Sequence, residues 1–149
     1  MKKLRIATFL TAAFLMVGSA TLMGASAQAL KGGDGEINFT AKTYTETVAE
    51  ARKNHKKIFV DVYAVWCGPC KALQKTTFKD PKAAAYYNKN FLNISIDIEK
   101  GEGPALAKKW GVQGLPTLLI LDEKGKVLAQ HTGYVDGKGL LEFARGAIR

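Results

Sequence analysis

The run Ile58-Phe59-Val60-Asp61-Val62-Tyr63-Ala64 is apolar but for one aspartate, and after Val65 and Trp66 it meets Cys67-Gly68-Pro69-Cys70. A short continuous apolar run bounded by lysines reads as a strand covered on both faces, because a half-exposed strand would alternate. Pro69 then fits the first turn of a helix, where its missing N–H costs nothing. The two cysteines are therefore expected where a buried strand turns into a helix, and any fold for this chain must be built around that junction.

The flanking segments supply the rest of the sheet. Tyr44 to Asn54 has helical spacing through Val48 and Ala51, with Thr43 or Thr45 as its cap. A helix over 69–76 pauses around Phe78-Lys79-Asp80-Pro81, and a further helix over 81–89 takes Asp80 as its cap. Phe91 to Ile98 reads as a second strand, and Pro104 to Trp110 as a short helix ended by Gly111. Thr117–Leu121 and Lys126–Thr132 are strands joined by the turn Asp122-Glu123-Lys124-Gly125, and Gly139 to Ile148 closes as a helix. Strands separated by helices pair in parallel and strands joined by a short turn pair antiparallel. The expected fold is α/β, a mixed central β-sheet with helices on both faces, in one domain over 43–149.

The start of the chain has a different character. Met1-Lys2-Lys3-Leu4-Arg5 is basic, Ile6 to Met23 is largely apolar, and Ala25-Ser26-Ala27 and Ala27-Gln28-Ala29 offer small-residue cleavage frames. This is the layout of a secretory signal peptide over 1–29, cleaved after 27 or 29. No cysteine stands near either frame to carry a lipid. Residues 30–42, with Lys31-Gly32-Gly33-Asp34-Gly35, read as a flexible leader. The formal charge is +9, and loss of Lys2, Lys3 and Arg5 lowers it by three to +6. Only the segment from Arg52 to Lys57 is densely basic and no aromatic residues interleave with the lysines, so no nucleic-acid partner is expected. The expected location is the periplasm or another exported compartment, and the expected state is a monomer.

Exported proteins usually use cysteines to close long loops, since the entropic gain grows with loop length. Cys67 and Cys70 are the only cysteines and enclose two residues, a poor staple. Disulfide exchange fits them better. A thiolate at a helix N-terminus is stabilised by free N–H groups and the helix dipole, which makes Cys67 the attacking and more exposed thiol. Cys70, one turn further in, would resolve the mixed disulfide. Zinc would need further ligands and only His55 and His131 could join, so no metal is expected; Lys71 stands where covalent haem attachment wants histidine. No cofactor is expected beyond the redox-active Cys67–Cys70 disulfide itself. Asp61, a carboxyl in an apolar strand, should have its charged form disfavoured.

The segment from Val60 to Lys71 resembles the active-site strand and motif of the thioredoxin family, and Gly114-Leu115-Pro116-Thr117 resembles that family's cis-proline loop. The likeness runs from about Tyr44 to Ile148. It implies a thioredoxin fold and a catalytic set of Cys67, Cys70 and Asp61, with Asp61 moving the proton of the inner cysteine. It also implies a substrate-binding set of Trp66, Gly68, Pro69, Leu115, Pro116 and Gly133, in which Leu115 offers its backbone to a substrate strand. Thioredoxins usually carry a lysine on the next strand beside the buried acid; Leu92 to Asp97 has none. The stretch Thr76-Thr77-Phe78-Lys79-Asp80-Pro81 is instead similar to the C-terminal thioredoxin-like domain of DsbD thiol:disulfide interchange proteins. The resemblance thus implies reduction of protein disulfides through a mixed disulfide, with a membrane electron donor of thiol:disulfide interchange type as partner. Gly68-Pro69 resembles reducing members, with a potential nearer about −270 mV than about −120 mV. A disulfide oxidase or isomerase, or a non-catalytic binding or chaperone module, are the alternatives.

Overall fold

The computed structural model describes residues 35–148; the expected signal peptide and the first part of the expected leader lie outside them. Five strands form one sheet in the order β1-β3-β2-β4-β5, with β1 at Phe39–Thr40, β2 at Lys57–Tyr63, β3 at Phe91–Asp97, β4 at Thr117–Leu121 and β5 at Val127–Thr132. β1, β2 and β3 pair in parallel, while β4 runs antiparallel to both β2 and β5. The helices are α1 (Tyr44–Asn54), α2 (Gly68–Lys75), α3 (Pro81–Asn90), α4 (Gly103–Lys109) and α5 (Gly137–Ala147), with a 3₁₀ turn at Thr77–Lys79 after α2. This is the expected thioredoxin fold, with element ends shifted by a residue or two.

The helix starts follow from local chemistry. Thr43, rather than Thr45, caps α1 in a reciprocal box: its hydroxyl accepts from Glu46 N–H, and the Glu46 carboxylate accepts from Thr43 N–H. Asp80 accepts from the N–H groups of Lys82 and Ala83, starting α3 at Pro81.

β2 lies at the centre of the sheet, and alternation divides its side chains between two layers. Phe59 joins Leu118 and Ile120 of β4 against α2, α3 and α5, where its ring meets Tyr87 edge-on at 4.5 Å. Ile58, Val60 and Val62 point the other way, with Leu119 and Leu121, against α1 and α4. Each such fully buried side chain contributes about 1.5–3 kcal/mol relative to exposure. Asp61 follows Phe59 on the same face, so it is carried into the layer that α2 covers.

The leader expectation needs a correction. From Glu36 onward the segment is part of the domain: Ile37 is buried and its N–H donates to Phe78 O at 2.8 Å. The Phe39 ring packs 5.1 Å from Phe78, and β1 pairs Phe39 with Asn93 and Thr40 with Ile94. Two paired residues are too few to show a strand pattern, and the pairing rests on residues more than fifty positions away.

Candidate active site

Cys67 is the N-cap residue of α2, in extended backbone, and is joined to Cys70 by a disulfide. The Cys70 N–H donates to Cys67 Sγ at 3.2 Å. When the disulfide opens, that N–H and the helix N-terminus already face the sulfur, the arrangement that stabilises a thiolate. The expected difference in exposure is small here: Cys67 is 3% exposed and Cys70 1%. Ala64 and Leu115 pack against the pair. A Cβ added to Gly68 would meet nothing within 4 Å, so packing does not demand glycine there.

Trp66 is 64% exposed and is held by its indole N–H, which donates to Glu99 Oε1 at 3.0 Å. Val65 is also exposed. Across the disulfide, the Leu115–Pro116 peptide bond is cis. No backbone hydrogen bond of Leu115 is found among the described residues, which leaves its N–H and C=O available to an added strand. Gly133 donates its N–H to Pro116 O at 2.8 Å and has φ +103°, a conformation that favours glycine. A Cβ there would also meet open space. Pro69 occupies the first turn of α2, as expected. Beside the disulfide, Trp66, Gly68 and Pro69 are exposed and Leu115 and Gly133 half-buried, while Cys67, Cys70 and Pro116 are buried.

Asp61 is 1% exposed, on the face of β2 that carries Phe59. It is paired in register with Leu118 of β4, which packs with Leu73 of α2 in one cluster, and with Ser95 of β3. Burial pushes its carboxyl up from 3.8 to about 7, and a hydrogen bond from Ser95 Oγ to Oδ2 at 3.4 Å offsets part of that rise. Oδ1 has no hydrogen-bond partner among the described residues.

Three residues escaped the sequence reading. Glu99 orients Trp66 from a turn 33 positions away, and nothing local marks it. Tyr134 is exposed beside Gly133, with its hydroxyl 3.2 Å from Thr76 Oγ1 at the end of α2. Ser95 could have been found as the polar residue on the strand that the family resemblance aligns with the acid. A cavity of about 430 Å³ lined by Arg52, His55, Glu123 and Lys124 lies at the other end of β2 and touches none of these groups. No group of residues suited to a metal ion is found among the described residues.

Comparisons with known proteins agree with this geometry. A thioredoxin-like domain family model matches residues 44–146. The thiol:disulfide interchange protein DsbD of Yersinia pestis is 35% identical over 95 residues, covering 62% of this chain and 16% of the relative. The Haemophilus influenzae DsbD is 34% identical over 89 residues, covering 58% of this chain and 15% of its own length. The chain thus spans only about a sixth of the curated relatives it matches. A solved structure of a candidate disulphide-isomerase from Bacteroides thetaiotaomicron is 38% identical with a TM-score of 0.70, covering 79% of this chain and 98% of that one. The oxidised C-terminal domain of Neisseria meningitidis DsbD has a TM-score of 0.61 at 23% identity, covering 74% and 98%, a likeness of fold.

Proposed function

Because this chain belongs to the thioredoxin-like family, as a thiol–disulfide oxidoreductase-type domain with Cys67 and Cys70 joined in a disulfide, we propose that it reduces protein disulfides outside the cytoplasm. The observation that carries the reading is the disulfide at the N-terminus of α2, with Cys70 N–H on Cys67 Sγ and a buried carboxyl on the strand beneath. The Cys67 thiolate attacks one substrate sulfur, forms the Cys67–substrate disulfide and expels the other sulfur as thiolate. Asp61, ionised, takes the Cys70 proton; the Cys70 thiolate then attacks Cys67 Sγ and releases the second substrate thiolate. The expelled thiolates take protons from water, and the domain is left with its disulfide. Trp66, Gly68, Pro69, Leu115, Pro116 and Gly133 form the surface on which the substrate chain lies.

Reduction outside the cytoplasm consumes the dithiol, so a membrane thiol:disulfide interchange partner must restore it. The signal-peptide layout of residues 1–29 and the similarity to part of DsbD support that placement. Among the described residues no helix is long and apolar enough to cross a membrane.

Insulin reduction with a dithiol donor tests the catalysis: Cys67→Ser should abolish turnover, and unaltered turnover would sink the mechanism. A reduction potential above about −180 mV would overturn the reductive direction. The 38% identity to a candidate disulphide-isomerase favours isomerisation as a second reading. Recovery of scrambled ribonuclease without added reductant cycling would select it.

A further inference from the structure

We propose that the Ser95 hydroxyl is the proton exit of the site, linking the buried Asp61 carboxyl to solvent. This deepens the mechanism above and rests on Asp61 serving Cys70.

Three observations converge on Ser95. It is the register partner of Asp61 in the parallel β2–β3 ladder, so both side chains lie on one face of the sheet. Its Oγ donates to Asp61 Oδ2. It is also half-buried, whereas Ile94 before it and Ile96 after it are buried. The edge strand explains the opening: β1 covers β3 only at Asn93 and Ile94, and stops one residue short of Ser95. Beyond that point β3 is the sheet edge, and Ser95, partly exposed, is bonded to the acid.

The other groups around the carboxyl do not offer this route. On β4 its partner is Leu118, and His131 of β5 lies one strand further on, separated by that leucine. Tyr63 is two residues along β2, and Asp97 two along β3 is paired with Lys100 at 3.3 Å. Lys71 and Lys75 of α2, Lys79 of the 3₁₀ turn, and Lys138, Glu142 and Arg145 of α5 are exposed. Tyr87 of α3 donates its hydroxyl to Leu140 O.

The step balances. After Asp61 has taken the Cys70 proton, its carboxyl donates to Ser95 Oγ while the Ser95 hydroxyl passes its own proton to water. Asp61 is then ionised and Ser95 unchanged. Oxidation of substrate would run the same proton inward.

Ser95→Thr and Ser95→Val test the idea as a pair, because they have the same shape, suit a strand and differ only in the hydroxyl. The measurements are the ¹³C titration of the Asp61 carboxyl, and the pH profile of ring closure after Cys67 is loaded with glutathione. Neither needs a protein substrate or a net direction, so a failure of insulin reduction leaves this test intact. Expected is an Asp61 titration displaced to higher pH in Ser95→Val, because the carboxylate loses a donor. With the acid near half-ionised at pH 7, a displacement of about one unit leaves about a tenth ionised and slows closure about fivefold. Ser95→Thr should keep the wild-type titration and rate. Identical titrations and profiles in the two variants, or a loss in Ser95→Val that is uniform across pH, would overturn the proposal.

Discussion

Replacing Asp61 by Asn should stabilise the oxidised domain, and by more as the pH rises. The carboxyl is buried, and its pKa is raised from 3.8 to about 7, chiefly because burial disfavours the charged form. A folded pKa above the unfolded one means that the folded state keeps the proton between about pH 4 and 7, where the unfolded chain has released it. The native state is therefore undisturbed by this group below about pH 4. Stability falls as pH rises from there through about 7, and levels off above. Three pKa units correspond to about 4 kcal/mol at most, a large share of the roughly 5–15 kcal/mol that holds a domain folded. Asn has the same shape but no proton to release, so its stability lacks this slope. Oδ1 of Asp61 has no partner, and an amide there inherits a constant penalty at every pH. The informative quantity is accordingly the difference between the two proteins as a function of pH. Urea unfolding of both, oxidised, at intervals from pH 4 to 9 measures it. A difference that does not change with pH, or that favours the wild type at pH 8, would refute the account of Asp61 as a buried acid held against its preference.

Other perturbations reach different parts of the structure. Gly103→Ala would place a Cβ 1.9 Å from Asp97 O, a backbone atom that cannot yield, so it should destabilise by about 2 kcal/mol or more in denaturant titrations. Thr43→Ala removes one half of the α1 capping box and should cost about 1 kcal/mol by the same assay, whereas Thr43→Ser should cost little. Glu99→Ala frees the Trp66 indole and should raise KM for insulin about two- to fivefold with little change in kcat, as expected for an exposed hydrogen bond of up to about 1 kcal/mol; Glu99→Gln keeps an acceptor and should act as wild type.

How much of this was legible beforehand depended on how local the cause is. The apolar run 58–64 declared β2 by composition alone, and the proline at 69 marked the helix start, so the junction that holds Cys67 could be read directly. The same run exposed Asp61 as an anomaly, since a carboxyl among buried residues needs a reason. Asp80 was readable, and Thr43 as one of two candidates beside Thr45, because caps act within three residues. Long-range register was not readable. β1 has two paired residues and exists only because β3 and Phe78 receive it. Glu99 meets Trp66 through the end of β3.

That register sets the character of the site. A lysine beside Asp61 would bring a cation to favour the carboxylate and draw its pKa down; a serine brings a single, long hydrogen bond. Burial then dominates, and the acid is left near neutrality, where it can both take and give a proton. A group balanced in this way needs a path to water, or it would deliver its proton only as fast as the strands open. The brevity of β1 supplies that path by ending at Ile94. A longer edge strand would cover Ser95 and stabilise the sheet, but would also close the acid off. On the proposed mechanism, the short edge and the destabilising aspartate serve one requirement, a buried proton that must still be exchanged.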